Sequence, residues 1–288
     1  MTEDPFVAHR SLLFTVAYEM LGSAADAEDV VQESWLRWAG VDQSQVRDPR
    51  LYLIRVVTRQ ALNRLRTLSR RREDYVGEWL PEPLLTTPDV AEDVELAESV
   101  SIAMLTVLET LGPTERAVFV LREVFDVPYG EIAEAIGKSA TAVRQTALRA
   151  REHVAARRPR VPVSRSEQQA VLERFLAALR TGQVQALMEV MAPDVVMIAD
   201  GGGLTQAARA PIHGAEILAK LLARFNRTTP GYSMTTVWLN GAPAVRVEFD
   251  GRMTVVSLVV EHGRVTRIYA MANPQKLTRL AEPAELAR

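Results

Sequence analysis

The chain has 288 residues, more than one ordinary domain needs and enough for two or three, and its 48% hydrophobic and 24% charged composition is that of a globular protein. It has no cysteine and four scattered histidines, which excludes a disulfide framework, a thiolate metal site and a thiol nucleophile. The net charge of −2 conceals segregation: residues 47–72 hold nine arginines against Asp48 (+8), residues 73–98 hold nine acids and no base (−9), and residues 138–160 hold seven bases against Glu152 (+6).

In chain order, Phe6, Leu13, Val16, Ala17 and Met20 recur at helical spacing, Gly22-Ser23 interrupts, and Asp26 opens a second run with Val30, Val31, Trp35 and Leu36. Gly40 to Asp48 is polar and loop-like. Asp48-Pro49 reads as an N-cap and first turn of a long helix with Leu51, Leu53, Ile54, Val57, Ala61, Leu62 and Leu65 on its apolar face. Tyr75 to Ala91 holds three prolines and reads as a linker. Helices resume near Glu92, with Gly112-Pro113 separating one that ends at Leu111 from another over residues 113–124. Arg157 to Arg165, with Pro159 and Pro162, reads as a second linker. Beyond it come helices at Glu167 to Arg180 and at residues 215–225, a short apolar run at Asp194 to Ile198, and strands at Ser233 to Leu239, Ala244 to Phe249, Met253 to Val260 and Val265 to Ala270. Asn240-Gly241, Asp250-Gly251 and His262-Gly263 between those strands are tight-hairpin signatures.

Two basic blocks around an acidic spacer point to two polyanion contacts joined by a connector. The second block lies on helix-turn-helix spacing: Ile132, Ala133 and Ile136 share a face, Gly137 permits the tight turn, Ser139 caps the next helix and Val143 packs it back. Such a helix lies in the major groove, here presenting Thr141, Arg144, Gln145 and Arg149 to base edges, since Arg suits guanine and Gln suits adenine. Lys138, Arg151, Arg157 and Arg158 suit phosphates. An ordinary helical hairpin is the plain alternative.

Residues 6–75 and 95–158 resemble regions two and four of the extracytoplasmic-function class of RNA polymerase sigma factors. The resemblance rests on the stretch Asp26 to Trp35 (DAEDVVQESW), the stretch Pro49 to Asn63 (PRLYLIRVVTRQALN), Leu111 to Arg116 (LGPTER) and the helix-turn-helix. It implies that Asp26, Glu28, Asp29, Gln32 and Trp35 bind the polymerase clamp. Arg55, Arg59, Asn63, Arg64 and Arg66 would engage the minus-ten element. Lys138, Ser139, Thr141, Arg144, Gln145 and Arg149 would read the minus-thirty-five element, with region four on the polymerase flap. The loop Val41 to Arg47 would receive a flipped base. Trp35 and Trp38 read as buried core or as stacking platforms, the core reading being favoured, and Tyr52 is ambiguous in the same way. Two modules on one flexible tether would gain affinity through effective concentration. The implied organisation is region two at 1–76, an acidic linker at 77–94, region four at 95–158, a linker at 159–165 and a tail domain at 166–288.

Residues 166–280 resemble SnoaL-like domains of the nuclear-transport-factor-two superfamily, which implies a cone-shaped α+β fold with a curved antiparallel sheet. Trp79-Leu80-Pro81-Glu82-Pro83, Asp200-Gly201-Gly202-Gly203 and Asn273-Pro274-Gln275-Lys276-Leu277 match the subset of these sigma factors that carry such a tail, with Gln275 standing where an acid is expected. In that subset the tail modulates sigma activity, so Trp79, Leu80, Pro81, Asp200 to Gly203, Asn273, Pro274, Lys276 and Leu277 are expected at an intramolecular regulatory contact. There an exposed apolar linker would dock near a flexible glycine loop. Alternatives are a tail that binds a small ligand in a pocket lined by Met188, Met191, Phe225 and Trp238, and a catalytic tail with Asp200 or His213 as base. A third is a regulator that binds DNA without polymerase. No cofactor or metal is expected. The acidic N-terminus, Glu3 and Asp4, and the lack of a membrane-length apolar run make the expected location the cytoplasm.

Overall fold

The computed structural model describes residues 4–73, 75–158 and 163–288. Pro159 and Pro162 of the expected second linker lie outside the described residues.

The first helical unit comprises α1 (Pro5–Ala8), α2 (Arg10–Leu21), α3 (Ala24–Ala39) and α4 (Pro49–Glu73). Helix α2 is buried from Leu12 to Leu21, so it is the hub around which α3 and α4 pack. It stops at Gly22, whose left-handed φ of 66° ends the helix, and Ser23 caps α3 through a 3.2 Å bond from the Asp26 amide. Asp48 caps α4 as its position implied, accepting from the Leu51 amide at 2.9 Å.

The second unit comprises α5 (Val94–Val100), α6 (Ile102–Leu108), α7 (Pro113–Phe119), α8 (Tyr129–Ile136) and α9 (Ala140–Ala155). The continuous helix expected over 113–124 instead splits into α7 and a π-helical turn, Val120–Val124. Gly137 (φ 69°) makes the turn between α8 and α9, and Ser139 caps α9 through the Ala142 amide at 3.2 Å.

The tail holds α10 (Arg165–Thr181), α11 (Val184–Val190) and α12 (Ala215–Thr228), with strands β1 (Met191–Asp200), β2 (Ile212–His213), β3 (Ser233–Leu239), β4 (Ala242–Phe249), β5 (Arg252–Glu261) and β6 (Arg264–Met271). Among the described residues these strands form a six-stranded sheet in the order β2-β1-β6-β5-β4-β3. All three dipeptide turns have both residues at positive φ, as in Asn240 (52°) and Gly241 (73°), the geometry that matches strand twist. The sheet departs from the purely antiparallel expectation at one pair, since β1 runs parallel to β6. A parallel pair needs a long crossover, here α12 and the β3–β5 meander, which local sequence patterns do not reveal.

The connector differs most from expectation. Its middle is neither loose nor exposed: residues 80–84 are buried. Residues 84–86 then lie against the end of β3 as a single bridge at Leu85, where the Thr86 amide donates to the Trp238 carbonyl (2.9 Å) and the Asn240 amide to the Leu84 carbonyl (3.0 Å). Leu80 joins the apolar cluster of Leu239, Tyr269 and Met271. Leu84 joins a core that runs continuously from α1–α4 into α6–α9, so the two helical units pack as one body rather than on a flexible tether. Residues 284–288 close the arrangement: Ala284 donates to the Leu85 carbonyl (2.8 Å), Ala287 to Thr15 Oγ1 (3.1 Å), and Arg288 pairs with Glu95.

Candidate nucleic-acid interface and the linker node

Helix α9 carries the expected reading surface. Its buried side, Val143, Ala147, Ala150 and Val154, packs into the helical core. Lys138, Ser139, Thr141, Arg144, Gln145 and Arg149 are all exposed on the turn and the outer face. The spacing places Thr141, Arg144, Gln145 and Leu148 along one stripe.

Three arginines of α4, Arg55, Arg59 and Arg64, are engaged by other elements of the molecule. Arg55 pairs with Glu134 and lies 3.7 Å from Glu131, both on α8. Arg59 donates through Nη2 to the Glu134 carbonyl (2.9 Å) and through Nε to the Ala135 carbonyl (3.1 Å), capping the negative end of α8. Arg64 bridges Asp26 (2.6 Å) and Asp29 (2.9 Å), which raises its already high pKa through the Asp26 hydrogen bond. Asn63 is exposed and accepts from Arg66 at 3.5 Å. Thus α8 lies across the face of α4, and acids of the expected clamp-binding set hold a basic residue of the expected minus-ten set.

On α3, Asp29, Gln32 and Trp35 are exposed, Asp26 and Glu28 half-buried, and Glu28 pairs with Arg10 at 2.8 Å. The two tryptophans separate. Trp38 is fully buried and donates to Asp4 at 3.1 Å, as expected of a core residue. Trp35 is not buried core; it is 39% exposed and rests edge-on against Phe6, because its helical position faces away from α2. Tyr52 is half-buried against Trp38. The 41–47 loop carries a short 3-10 turn, Gln43–Gln45, capped by Asp42.

The three linker and tail motifs converge on Asp200. This carboxylate is fully buried at the end of β1. Its Oδ1 accepts from Tyr75 Oη (2.6 Å) and the Gly202 amide (3.1 Å), and its Oδ2 from the Leu80 amide (2.9 Å) and Lys276 Nζ (2.6 Å). Lys276 also donates to the Leu80 carbonyl (2.5 Å) and lies over the Trp79 ring, 3.2 Å from its centroid. Asn273 donates to Tyr75 Oη at 2.8 Å and caps the turn Pro274–Lys276, which forms with Gln275 in place. Leu277 joins the apolar cluster around Leu80. Burial, and then the facing Asp200, push the Tyr75 hydroxyl well above the usual tyrosine range. The Gly201-Gly202-Gly203 loop is pinned rather than free: Gly202 (φ 60°) is packed so tightly that a Cβ would collide with the Asn273 amide.

With both oxygens accepting two bonds each, Asp200 has no lone pair left for a substrate proton. His213 is exposed on the edge strand β2. Met191 lies in the core of the tail and Met188 packs against it. Phe225 leans on Tyr232, and Trp238 lies beneath Arg165. Cavities of about 390 and 150 Å³ are lined by other residues.

The buried roles of four polar residues escaped sequence reading. Asn240, read only as a turn residue, is fully buried; it donates to Tyr18 Oη (2.7 Å) and the Val100 carbonyl (2.8 Å) and accepts from the Leu84 amide (2.9 Å). One side chain so joins both helical units, the linker and the tail. Glu82 caps α3 through Ser23 Oγ (3.1 Å) and the Ala24 amide (2.8 Å), and burial raises its pKa. Glu19 and Arg116 meet, fully buried, where the two helical units join. Arg116 pairs with Glu109 at 2.8 Å and donates to the Glu19 carbonyl at 3.1 Å, while Ser99 donates to the Glu19 carboxyl at 2.7 Å. Burial pushes Glu19 up to about 8 and Arg116 down to about 9. A charged residue inside the otherwise apolar run of α2 was the one available signal for Glu19.

Residues 6–71 match the family description Sigma-70 region 2, and residues 101–154 match Sigma-70, region 4. The ECF RNA polymerase sigma factor SigJ of Mycobacterium tuberculosis is 34% identical over 96% of this chain and 94% of its own length. The probable ECF RNA polymerase sigma factor SigI of the same species is 32% identical over 94% and 92%. The crystal structure of SigJ superposes with a TM-score of 0.78, covering 96% of this chain and 98% of that one, so the likeness includes the α+β tail. Identity above 30% along nearly the whole of both chains, together with both region matches, places the protein: it belongs to the extracytoplasmic-function RNA polymerase sigma factors, which direct core polymerase to promoter DNA.

Proposed function

We propose that this sigma factor holds its promoter-reading surfaces in a closed arrangement that its own tail stabilises. Arg55, Arg59, Asn63, Arg64 and Arg66 serve the minus-ten element. Lys138, Ser139, Thr141, Arg144, Gln145 and Arg149 serve the minus-thirty-five element, and Asp26, Glu28, Asp29, Gln32 and Trp35 serve the polymerase clamp. The observation that carries the reading is the pairing of Arg55 and Arg59 with α8. A nucleic acid approaching α4 meets guanidinium groups already bonded to the helix-turn-helix. Polymerase, binding the clamp surface on α3 and region four through its flap, shifts the population toward a form in which the two surfaces separate. The tail acts through the linker, because Asp200 and Lys276 bond both backbone groups of Leu80. The protein works in the cytoplasm, where core polymerase is.

The test is run-off transcription with purified core polymerase and a promoter-fragment library, comparing the full chain with one ending at Arg165. A rise in specific transcripts from the shortened chain at limiting polymerase supports a closed arrangement held by the tail, and a fall counts against it. Equal transcription at every polymerase concentration rejects it.

A further inference from the structure

Tyr129 opens α8, and its half-buried ring packs against the helical core. Two guanidinium groups lie over that ring: Arg122, from the π-helical turn, 4.9 Å from the centroid, and Arg144, from the recognition helix, 5.7 Å from it. Two like charges over one ring repel unless one is neutralised. Arg122 is, since it pairs with Asp126 at 2.9 Å and donates to the Val127 carbonyl at 3.3 Å. Among the described residues Arg144 has no carboxylate partner, so the negative face of the ring is its one electrostatic anchor. An exposed arginine on a helix otherwise samples many rotamers, and that freedom must be lost before its two-pronged fork meets a guanine edge.

We propose that Tyr129 is a positioning residue for promoter reading: its ring pre-orients Arg144, so that discrimination at one base pair of the upstream element depends on a side chain of the preceding helix that contacts no base. This rests on the reading of Arg144 as a base-contacting residue. Arg122 serves the arrangement by staying tied to Asp126 and leaving the ring to Arg144.

The experiment uses the full chain with core polymerase on templates randomised across the upstream element, sequencing the transcripts from the parent, Arg144→Ala, Tyr129→Leu, Tyr129→Phe and Tyr129→Leu/Arg144→Ala. Arg144→Ala is expected to erase the preference at one base pair. Tyr129→Leu is expected to weaken that same preference about two- to fivefold while sparing the others, the size of an exposed cation–π contact. Tyr129→Phe, which keeps the ring, should retain it, and the double variant should add nothing to Arg144→Ala. Unfolding midpoints accompany every variant, with Tyr129→Gln substituted if the leucine variant melts early. If Arg144→Ala alters no base preference, the base-reading role and this inference both fall. If it does, while Tyr129→Leu leaves that preference intact or weakens all positions equally, the inference alone falls.

Discussion

Asp200→Asn tests the linker node most directly, because it keeps the side chain's shape and removes its charge. Asp200 is fully buried and Lys276 is 7% exposed, so their 2.6 Å pair has almost no solvent screening. The asparagine amide nitrogen must replace one of the two oxygens. It then points a donor either at Tyr75 Oη and the Gly202 amide or at the Leu80 amide and Lys276, all of which are donors to Asp200. Removing one partner of a buried pair costs ~3–5 kcal/mol, mainly because the remaining charge is stranded. Through a tenfold change for every ~1.4 kcal/mol, this raises the local opening equilibrium by roughly two to three and a half orders of magnitude. The assay is amide hydrogen exchange at Glu82, Leu84 and Thr86, whose protons go to Gly22, Asn240 and Trp238 and not to Asp200. Their exchange should accelerate by about that factor, while amides of the β4–β5 ladder stay unchanged. Adding Lys276→Met removes the stranded charge and should restore much of the protection. Parent-like exchange at those three amides in Asp200→Asn would refute the reasoning, confining the role of Asp200 to the tail itself.

Other consequences follow from the same geometry. Glu131→Gln/Glu134→Gln removes the carboxylates facing Arg55 and leaves every expected DNA-contacting residue in place. These half-exposed pairs are worth ~0.2–1 kcal/mol each, so transcription at limiting polymerase should rise by a factor of about two to thirty, and no rise would count against masking by α8. Asn240→Gly keeps the left-handed turn but deletes the bonds to Tyr18, Val100 and Leu84; calorimetry should show a loss of ~2–4 kcal/mol. Lys138→Ala, at an exposed position suited to phosphate, should lower the salt slope of promoter binding by about 0.9 without altering base preference. The Glu19 joint makes stability depend on pH. Its folded pKa of about 8 lies above the ordinary 4.5, so between those values the folded chain holds a proton that the unfolded chain has released. Stability therefore falls as pH rises through that window and levels off above it. Thermal midpoints from pH 5 to 9 should show that decline, and Glu19→Gln should flatten it.

Much of this was legible in the chain because it is locally encoded. Apolar periodicity, Asp48 and Ser139 as caps, Gly137 as a turn and three dipeptide hairpins each report a backbone preference within a few residues. They located the recognition helix and four of the strands to within about two residues. Family motifs supplied what periodicity does not, namely the expectation of which basic face serves which promoter element, and that the linker and tail belong together. The order of charges announced two nucleic-acid surfaces and a spacer. It did not announce that the middle of the spacer lies buried against the tail, because an acidic, proline-rich stretch has the same composition whether it is solvated or docked.

The pairing of distant groups belonged to tertiary structure alone. Asp200 reads as part of a loose glycine loop until Lys276, Tyr75 and the Leu80 amide arrive from two other segments to fill three of its four acceptor positions, the Gly202 amide of its own loop taking the fourth. Asn240 reads as an ordinary turn residue until Tyr18 and Val100 close around it. The parallel contact of β1 with β6 and the lie of α8 across Arg55 and Arg59 depend in the same way on chain closure over many residues. The sequence by itself determined the elements, their caps and the chemical character of each surface. The tertiary structure decided which of those surfaces are covered, since burial and electrostatic pairing depend on neighbours that local sequence does not specify.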